Sequence, residues 1–211
     1  MFEYLSSPMR WCESKFVYSE FIAEFWNSLT SLSMCLFAIY GYLKHKNLNL
    51  DNKMWFMLGS IGVTSFLFHF TLSFIGQFLD ELSIIVLVTY CLSILYELSN
   101  VVFFYLVVIL GLVSWFIPFA SPFILMILGV ILTLSTYKRN YDIISNELWL
   151  FCIKIGLLSV FFWIFDFVCV FNTHSIWHIL IGYTGYLMII YINKFQNKML
   201  FITDDIFPLL V

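Results

Sequence analysis

Seven apolar runs follow one another along this chain, near residues 21–43, 54–73, 77–97, 101–117, 121–137, 148–170 and 174–193, with short polar breaks between them. A helix needs roughly 20 residues to cross about 30 Å of hydrocarbon. The pattern therefore predicts an all-α membrane protein: a seven-helix transmembrane bundle forming one domain over 1–211. Composition closes the alternatives. Hydrophobic residues make up 62% of the chain and charged residues 11%, against about 45–50% and about 25% in a soluble domain. The 25 Phe, 12 Tyr and 7 Trp are spread along the whole length, which excludes a soluble core with a membrane tail, intrinsic disorder and a disulfide-rich secreted scaffold. Ten Lys and Arg against thirteen Asp and Glu leave no basic face for nucleic acid. The runs are continuously apolar rather than alternating, which excludes a closed β-barrel.

Positive charge sets the orientation. An odd number of spans puts the termini on opposite sides. Lys44, Lys46, Lys53, Lys138, Arg139, Lys194 and Lys198 then share one side, with Lys154 able to snorkel towards it, and Arg10 and Lys15 face the other. The asymmetry predicts a lumenal or extracellular N-terminal segment over 1–20 and a cytosolic tail over 194–211. No cleavable signal peptide is expected, because Glu3, Arg10, Glu13, Lys15 and Glu20 interrupt the first 20 residues. Pro118 and Pro122 bracket a turn between the fourth and fifth spans.

Ionisable residues inside a bilayer cost roughly 2.5–3.5 kcal/mol each at its centre, so the few present carry information. They are Glu24 on the first span, His69 on the second, Asp80 and Glu81 on the third, Asp166 on the sixth, and His174 and His178 on the seventh. The order of the spans alone puts all of them in the outer layer. Three of the four histidines are there, the fourth being His45 in an inner loop. His174 and His178 stand at i, i+4 and project from one helical face. Three neutral imidazoles are the ligand set of a catalytic zinc, with a fourth position left for water. The plain alternative is three histidines bonded to carbonyls or carboxylates between helices. Convergence at one depth beside Asp80 and Asp166 favours the metal.

The chain resembles the alkaline ceramidases, a family of seven-helix membrane amidases. The resemblance is carried by Trp11-Cys12-Glu13, Ala23-Glu24-Phe25-Trp26-Asn27, the run Ser65 to Leu72, Gln77-Phe78-Leu79-Asp80-Glu81, Asp166, and His174-Ser175-Ile176-Trp177-His178. It implies hydrolysis of a ceramide-type lipid to a sphingoid base and a fatty acid, in the endomembrane system (ER or Golgi), with the site towards the lumen or exterior. It also implies zinc on His69, His174 and His178, with Ser65 and Asp80 as catalytic residues. The residue chemistry is compatible. Asp80 is the carboxylate best placed to move a proton. Ser65, four residues before His69, lies on the same helical face and could donate to an oxyanion. Asp166 could orient a histidine ligand through its free ring nitrogen.

Relatives bind calcium with residues equivalent to Trp11, Glu13 and Glu24, an acidic residue before the tryptophan, and an Asn two positions after Glu13. This chain has Arg10 and Lys15 at the last two positions, and two cations oppose a site that wants six to eight oxygens. The expectation is that calcium is not bound, and that Arg10 or Lys15 pairs with Glu13 or Glu24 instead. Cys12 and Cys169 fall at the outer face, where an oxidising compartment permits a disulfide, and the resemblance implies that they are bridged. Cys35, Cys91 and Cys152 read as apolar packing residues. Trp11, Trp26 and Trp177 suit the outer interface. Nothing in the sequence indicates an oligomer. Two rival readings are a metal-binding lipid receptor of the same superfamily with little turnover, and a transporter using the buried acids as a proton relay.

Overall fold

The computed structural model describes residues 4–46, 51–139 and 146–206. These form seven helices and no strand: α1 (Phe25–His45), α2 (Lys53–Thr71), α3 (Phe74–Tyr96), α4 (Asn100–Phe116), α5 (Ser121–Arg139), α6 (Asn146–Asp166) and α7 (His174–Ile206). Parts of the expected inner connections (47–50 and 140–145) and the end of the expected tail (207–211) lie outside the described residues. Helices α2, α3, α5, α6 and α7 are long and apolar enough to cross a membrane, and α4 is apolar but shorter. Helix α1 is less apolar because Asn27, Ser28, Thr30, Ser31 and Ser33 punctuate its N-terminal half.

Several boundaries differ from the sequence-based expectation, each for a local reason. Helix α1 begins at Phe25, so Glu24 is not in a helical turn but extended at its start (φ −125°, ψ 101°). The break between α2 and α3 is only Leu72–Ser73: Leu72 turns left-handed at φ 48°, and the Ser73 hydroxyl accepts from Gly76 N–H at 3.0 Å. His45 closes α1 instead of sitting in a loop, with its ring 6.1 Å from that of Trp55. Helix α6 ends at Asp166 and α7 continues to Ile206, so most of the expected tail is helical. Polar residues such as Asn193 and Lys194 end an apolar run, but they do not break a helix.

Helix α1 packs on α2 and α7, α2 on α3, α6 on α7, and both α4 and α5 on α3. Two glycines let α1 be approached closely. A Cβ on Gly62 of α2 would sit 2.6 Å from Cys35 Sγ, and one on Gly182 of α7 would sit 2.9 Å from Met34 Cγ. The outward faces of α4 to α6 are apolar, with Phe104, Tyr105, Phe116 and Leu157 all exposed. Such a surface is stable against lipid and costly against water.

The N-terminal segment is the element that closes the end of the bundle where α2 stops. The last carbonyls of a helix lack intrahelical partners, and here the segment supplies them for α2. Glu24 N–H donates to His69 O at 3.0 Å, Ala23 N–H to Phe70 O at 2.9 Å, Leu5 N–H to Thr71 O at 3.2 Å and Ser7 N–H to Leu72 O at 2.9 Å. The Ser7 hydroxyl then reaches Gln77 Oε1 at 2.7 Å, and Gln77 Nε2 donates to Glu81 Oε1 at 2.9 Å, tying the segment to α3. One oxygen of Glu81 is thereby engaged in a packing network.

Candidate metal centre

Helices α2 and α7 bring His69, His174 and His178 together, each no more than 1% exposed. One nitrogen from each ring lies within 4.8 Å of the others, in the one such group among the described residues. Ring centroids are 5.0 Å apart for His69 and His174, 4.8 Å for His69 and His178, and 4.6 Å for His174 and His178. The last pair follows directly from i, i+4 spacing on one helix.

Hydrogen bonds orient two of the rings. Glu24 Oε2 is 2.7 Å from His69 Nδ1, and a carboxylate there accepts the Nδ1 proton and leaves the Nε2 lone pair free. Asn27 Nδ2 donates to the same oxygen at 3.0 Å. The Thr30 hydroxyl donates to Trp26 O at 2.7 Å and lies 3.1 Å from His178 Nδ1. With its one proton already given, that hydroxyl accepts from Nδ1–H, and Nε2 of His178 is again the free nitrogen. His174 is oriented differently: its ring stacks on Trp11 at 3.7 Å and Trp177 at 4.7 Å, and its Nδ1 is buried without a hydrogen-bond partner. A buried polar atom left unpaired costs about 1–3 kcal/mol. Three converging imidazoles, two with a free Nε2 and one with an unpaired Nδ1, are a donor set that suits a metal of borderline softness.

Ser65 and Asp80 adjoin this centre. Ser65 Oγ is 3.5 Å from His178 Nε2 and lies beside the Asp80 carboxyl group. Both residues are buried, and Asp80 Oδ1 has no hydrogen-bond partner. Asp166 does not meet an imidazole nitrogen among the described residues. Its Oδ1 accepts from the backbone N–H groups of Thr173 and His174, both at 3.0 Å, and its Oδ2 accepts from Cys12 N–H at 2.9 Å. Asp166 therefore caps the first turn of α7 and fixes the backbone of His174 rather than its ring.

The residues equivalent to the calcium ligands of relatives are otherwise engaged. Glu13 Oε1 accepts from Trp26 N–H at 2.7 Å, and Oε2 accepts from Asn27 N–H at 2.8 Å and Asn172 Nδ2 at 3.1 Å, so this carboxylate caps α1. Lys15 Nζ forms an ion pair with Glu24 Oε1 at 2.6 Å and donates to Trp11 O at 2.7 Å and Glu13 O at 2.5 Å. Arg10 takes no part: it is exposed and donates to Leu5 O at 3.3 Å. Cys12 and Cys169 form a disulfide, which fastens the N-terminal segment beside Asp166. Cys35, Cys91 and Cys152 are free thiols packed in or against the core.

Sequence reasoning did not single out Thr30, or Glu24 as the partner of His69. The available signal was a polar stripe on α1: Glu24, Asn27, Ser28 and Ser31 recur at i, i+3, i+4 and i+7 and are buried. Behind Trp11, whose ring is 6.4 Å from Trp163 and 5.6 Å from Phe167, an apolar cleft of about 490 Å³ opens between the start of α5 and the end of α6, lined in part by Met9, Phe123 and Met126.

Comparison with known proteins points the same way. The ceramidase family model matches residues 3–200. Mouse alkaline ceramidase 1 is 31% identical, with 87% of this chain and 78% of that protein aligned. The human alkaline ceramidase 1 is also 31% identical, over 87% and 81% of the two chains. A Drosophila melanogaster alkaline ceramidase is 27% identical over 88% and 76%. A match of this extent places the chain in the ceramidase family.

Proposed function

We propose that this protein hydrolyses the amide bond of ceramide to a sphingoid base and a free fatty acid, with zinc held by His69, His174 and His178. The observation that carries the reading is the meeting of three oriented, buried imidazoles with the Ser65–Asp80 pair in a member of the ceramidase family. The apolar cleft behind Trp11 suits the chains of a lipid substrate.

His69, His174 and His178 would hold the zinc, which when bound would lower the pKa of water to about 7 and so supply a nucleophile at neutral pH. The protein's own groups do the rest. Asp80, through its unpaired Oδ1, takes the proton of the attacking water and returns it to the leaving amine nitrogen. The Ser65 hydroxyl donates to the carbonyl oxygen as negative charge develops there. Glu24 and Thr30, by holding Nδ1 of His69 and His178, would leave the Nε2 lone pairs for the metal, and Asp166 fixes the start of α7. A buried carboxylate beside Ser65, which itself lies 3.5 Å from His178, favours turnover over the receptor reading, and the gathering of three buried histidines at one centre favours a metal over a proton relay.

Calcium is not required in this reading, because the Lys15 ammonium already lies among the oxygens of Trp11, Glu13 and Glu24. Membranes containing the protein should release sphingoid base from at least one member of a ceramide panel. Zinc removal should abolish the release and zinc addition restore it, while calcium removal with zinc kept saturating should leave the rate unchanged. Full activity of a metal-free preparation would overturn the reading. So would tight zinc binding without turnover of any ceramide, which would leave a binding protein.

The same proposal includes a single domain with seven membrane crossings, an endomembrane location, and the metal centre on the lumenal or extracellular side. A glycosylation acceptor appended to the N-terminus should be modified, and one placed within Lys138–Glu147 or at the C-terminus should not. The opposite pattern would put the centre on the cytosolic face and refute the orientation.

A further inference from the structure

Lys15 lies outside the ring of groups that touch the metal centre, yet its ammonium joins the two assemblies that orient His69 and His174. An ammonium has three protons to donate. Here it donates to Trp11 O at 2.7 Å and Glu13 O at 2.5 Å, and its charge pairs with Glu24 Oε1 at 2.6 Å. The side chain is 23% exposed and the Glu24 side chain fully buried, so the charge enters from the solvent edge along its own aliphatic stem. Glu24 uses its other oxygen on His69 Nδ1. Trp11, whose carbonyl Lys15 holds, stacks its indole on the His174 ring at 3.7 Å.

We infer that Lys15 is a positioning residue for the metal centre: a single ammonium that fixes Glu24 against His69 and the Trp11 backbone against His174. The inference rests on the metal reading of the three histidines and adds a residue that touches neither metal nor substrate. Its physical basis is charge and geometry together. A fully buried carboxylate without a cation is strongly disfavoured, and a carboxylate free to rotate no longer dictates which imidazole nitrogen is presented. The disulfide at Cys12 cannot replace it, because that link tethers the segment to the end of α6 and leaves Glu24 unaddressed.

The test is zinc affinity of the purified full chain, measured by competition with a chromophoric chelator, for the wild type, Lys15→Met, Lys15→Arg and Lys15→Ala. Lys15→Met keeps the aliphatic stem and removes the charge, and should weaken zinc binding by about 10- to 100-fold, the usual cost of losing an outer partner of a ligand. Lys15→Arg, which keeps the cation, should recover most of that loss. The affinity of Lys15→Ala should rise again on addition of propylammonium, a response that general destabilisation would not give; this pair of measurements decides the matter if Lys15→Met does not accumulate. Lys44→Met, which removes an exposed lysine at the other end of α1, should bind zinc as the wild type does. Wild-type affinity in Lys15→Met, or no recovery with propylammonium, would overturn the inference alone. A wild type with no affinity for zinc would overturn the metal reading and this inference with it.

Discussion

Purified His178→Ala protein is expected to contain almost no zinc and to hydrolyse ceramide at least about 1000-fold more slowly than the wild type. The magnitude follows from what is removed: metal activation is worth several kcal/mol of transition-state stabilisation, and each 1.36 kcal/mol is tenfold in rate. His178 is the sharpest choice because its ring meets both sides of the centre. Its Nδ1 is held by Thr30 and its Nε2 lies 3.5 Å from Ser65 Oγ, so truncation removes a ligand nitrogen and opens a buried void beside the proposed oxyanion donor. His174→Ala should behave alike. His45→Ala, at the opposite end of α1, should keep both metal and rate. Elemental analysis of metal content, run beside the ceramide assay, reads both effects, and a zinc-free His178→Ala variant of undiminished activity would remove the metal from the mechanism. Since the ligands must be unprotonated to bind, metal content and rate should fall together on acidification.

How much of this centre can be read in advance depends on whether a relation is local. His174 and His178 share a face because four residues nearly complete a helical turn, and Ser65 stands one turn from His69 for the same reason. The common depth of these residues needs only the order of the spans. By contrast, the partnership of Glu24 with His69 exists because residues 5–24 cross the end of α2 and satisfy its last carbonyls, a pairing that no periodicity encodes. Thr30 is invisible for a related reason: a threonine on a helix ordinarily bonds a carbonyl one turn back, as this one does to Trp26, and only the approach of α7 gives its lone pair a second task. Asp166 was legible as a buried acid but not in its target, since backbone N–H groups of a following helix start attract a carboxylate as strongly as an imidazole does. Between Arg10 and Lys15, the sequence offered two equal cations. The fold chose Lys15 because its stem reaches back over the turn formed by residues 11–15, while Arg10 precedes that turn and stays in solvent.

Asp80→Asn should retain zinc and lose between about 100- and 10,000-fold in kcat, the range set by general acid–base catalysis. The two side chains have nearly the same shape, so the packing of α3 is preserved and only the capacity to take a proton is lost. Stability argues for the same assignment from the other direction. A carboxyl group buried with an oxygen unpaired costs the fold about 1–3 kcal/mol, and nothing in the packing of α3 requires it there. Asp80→Asn should therefore melt no lower than the wild type while being nearly inactive, the signature of a residue kept for chemistry at the expense of stability. Ser65→Ala should cost about 100- to 1000-fold if its hydroxyl meets the developing oxyanion. Because Ser65 and Asp80 are neighbours in the resting centre, the two substitutions share their surroundings, and the double variant should lose less than the product of the single losses. Strict multiplication of the two effects would separate the residues mechanistically. An active Asp80→Asn enzyme with its zinc in place would move the proton transfer to another group altogether.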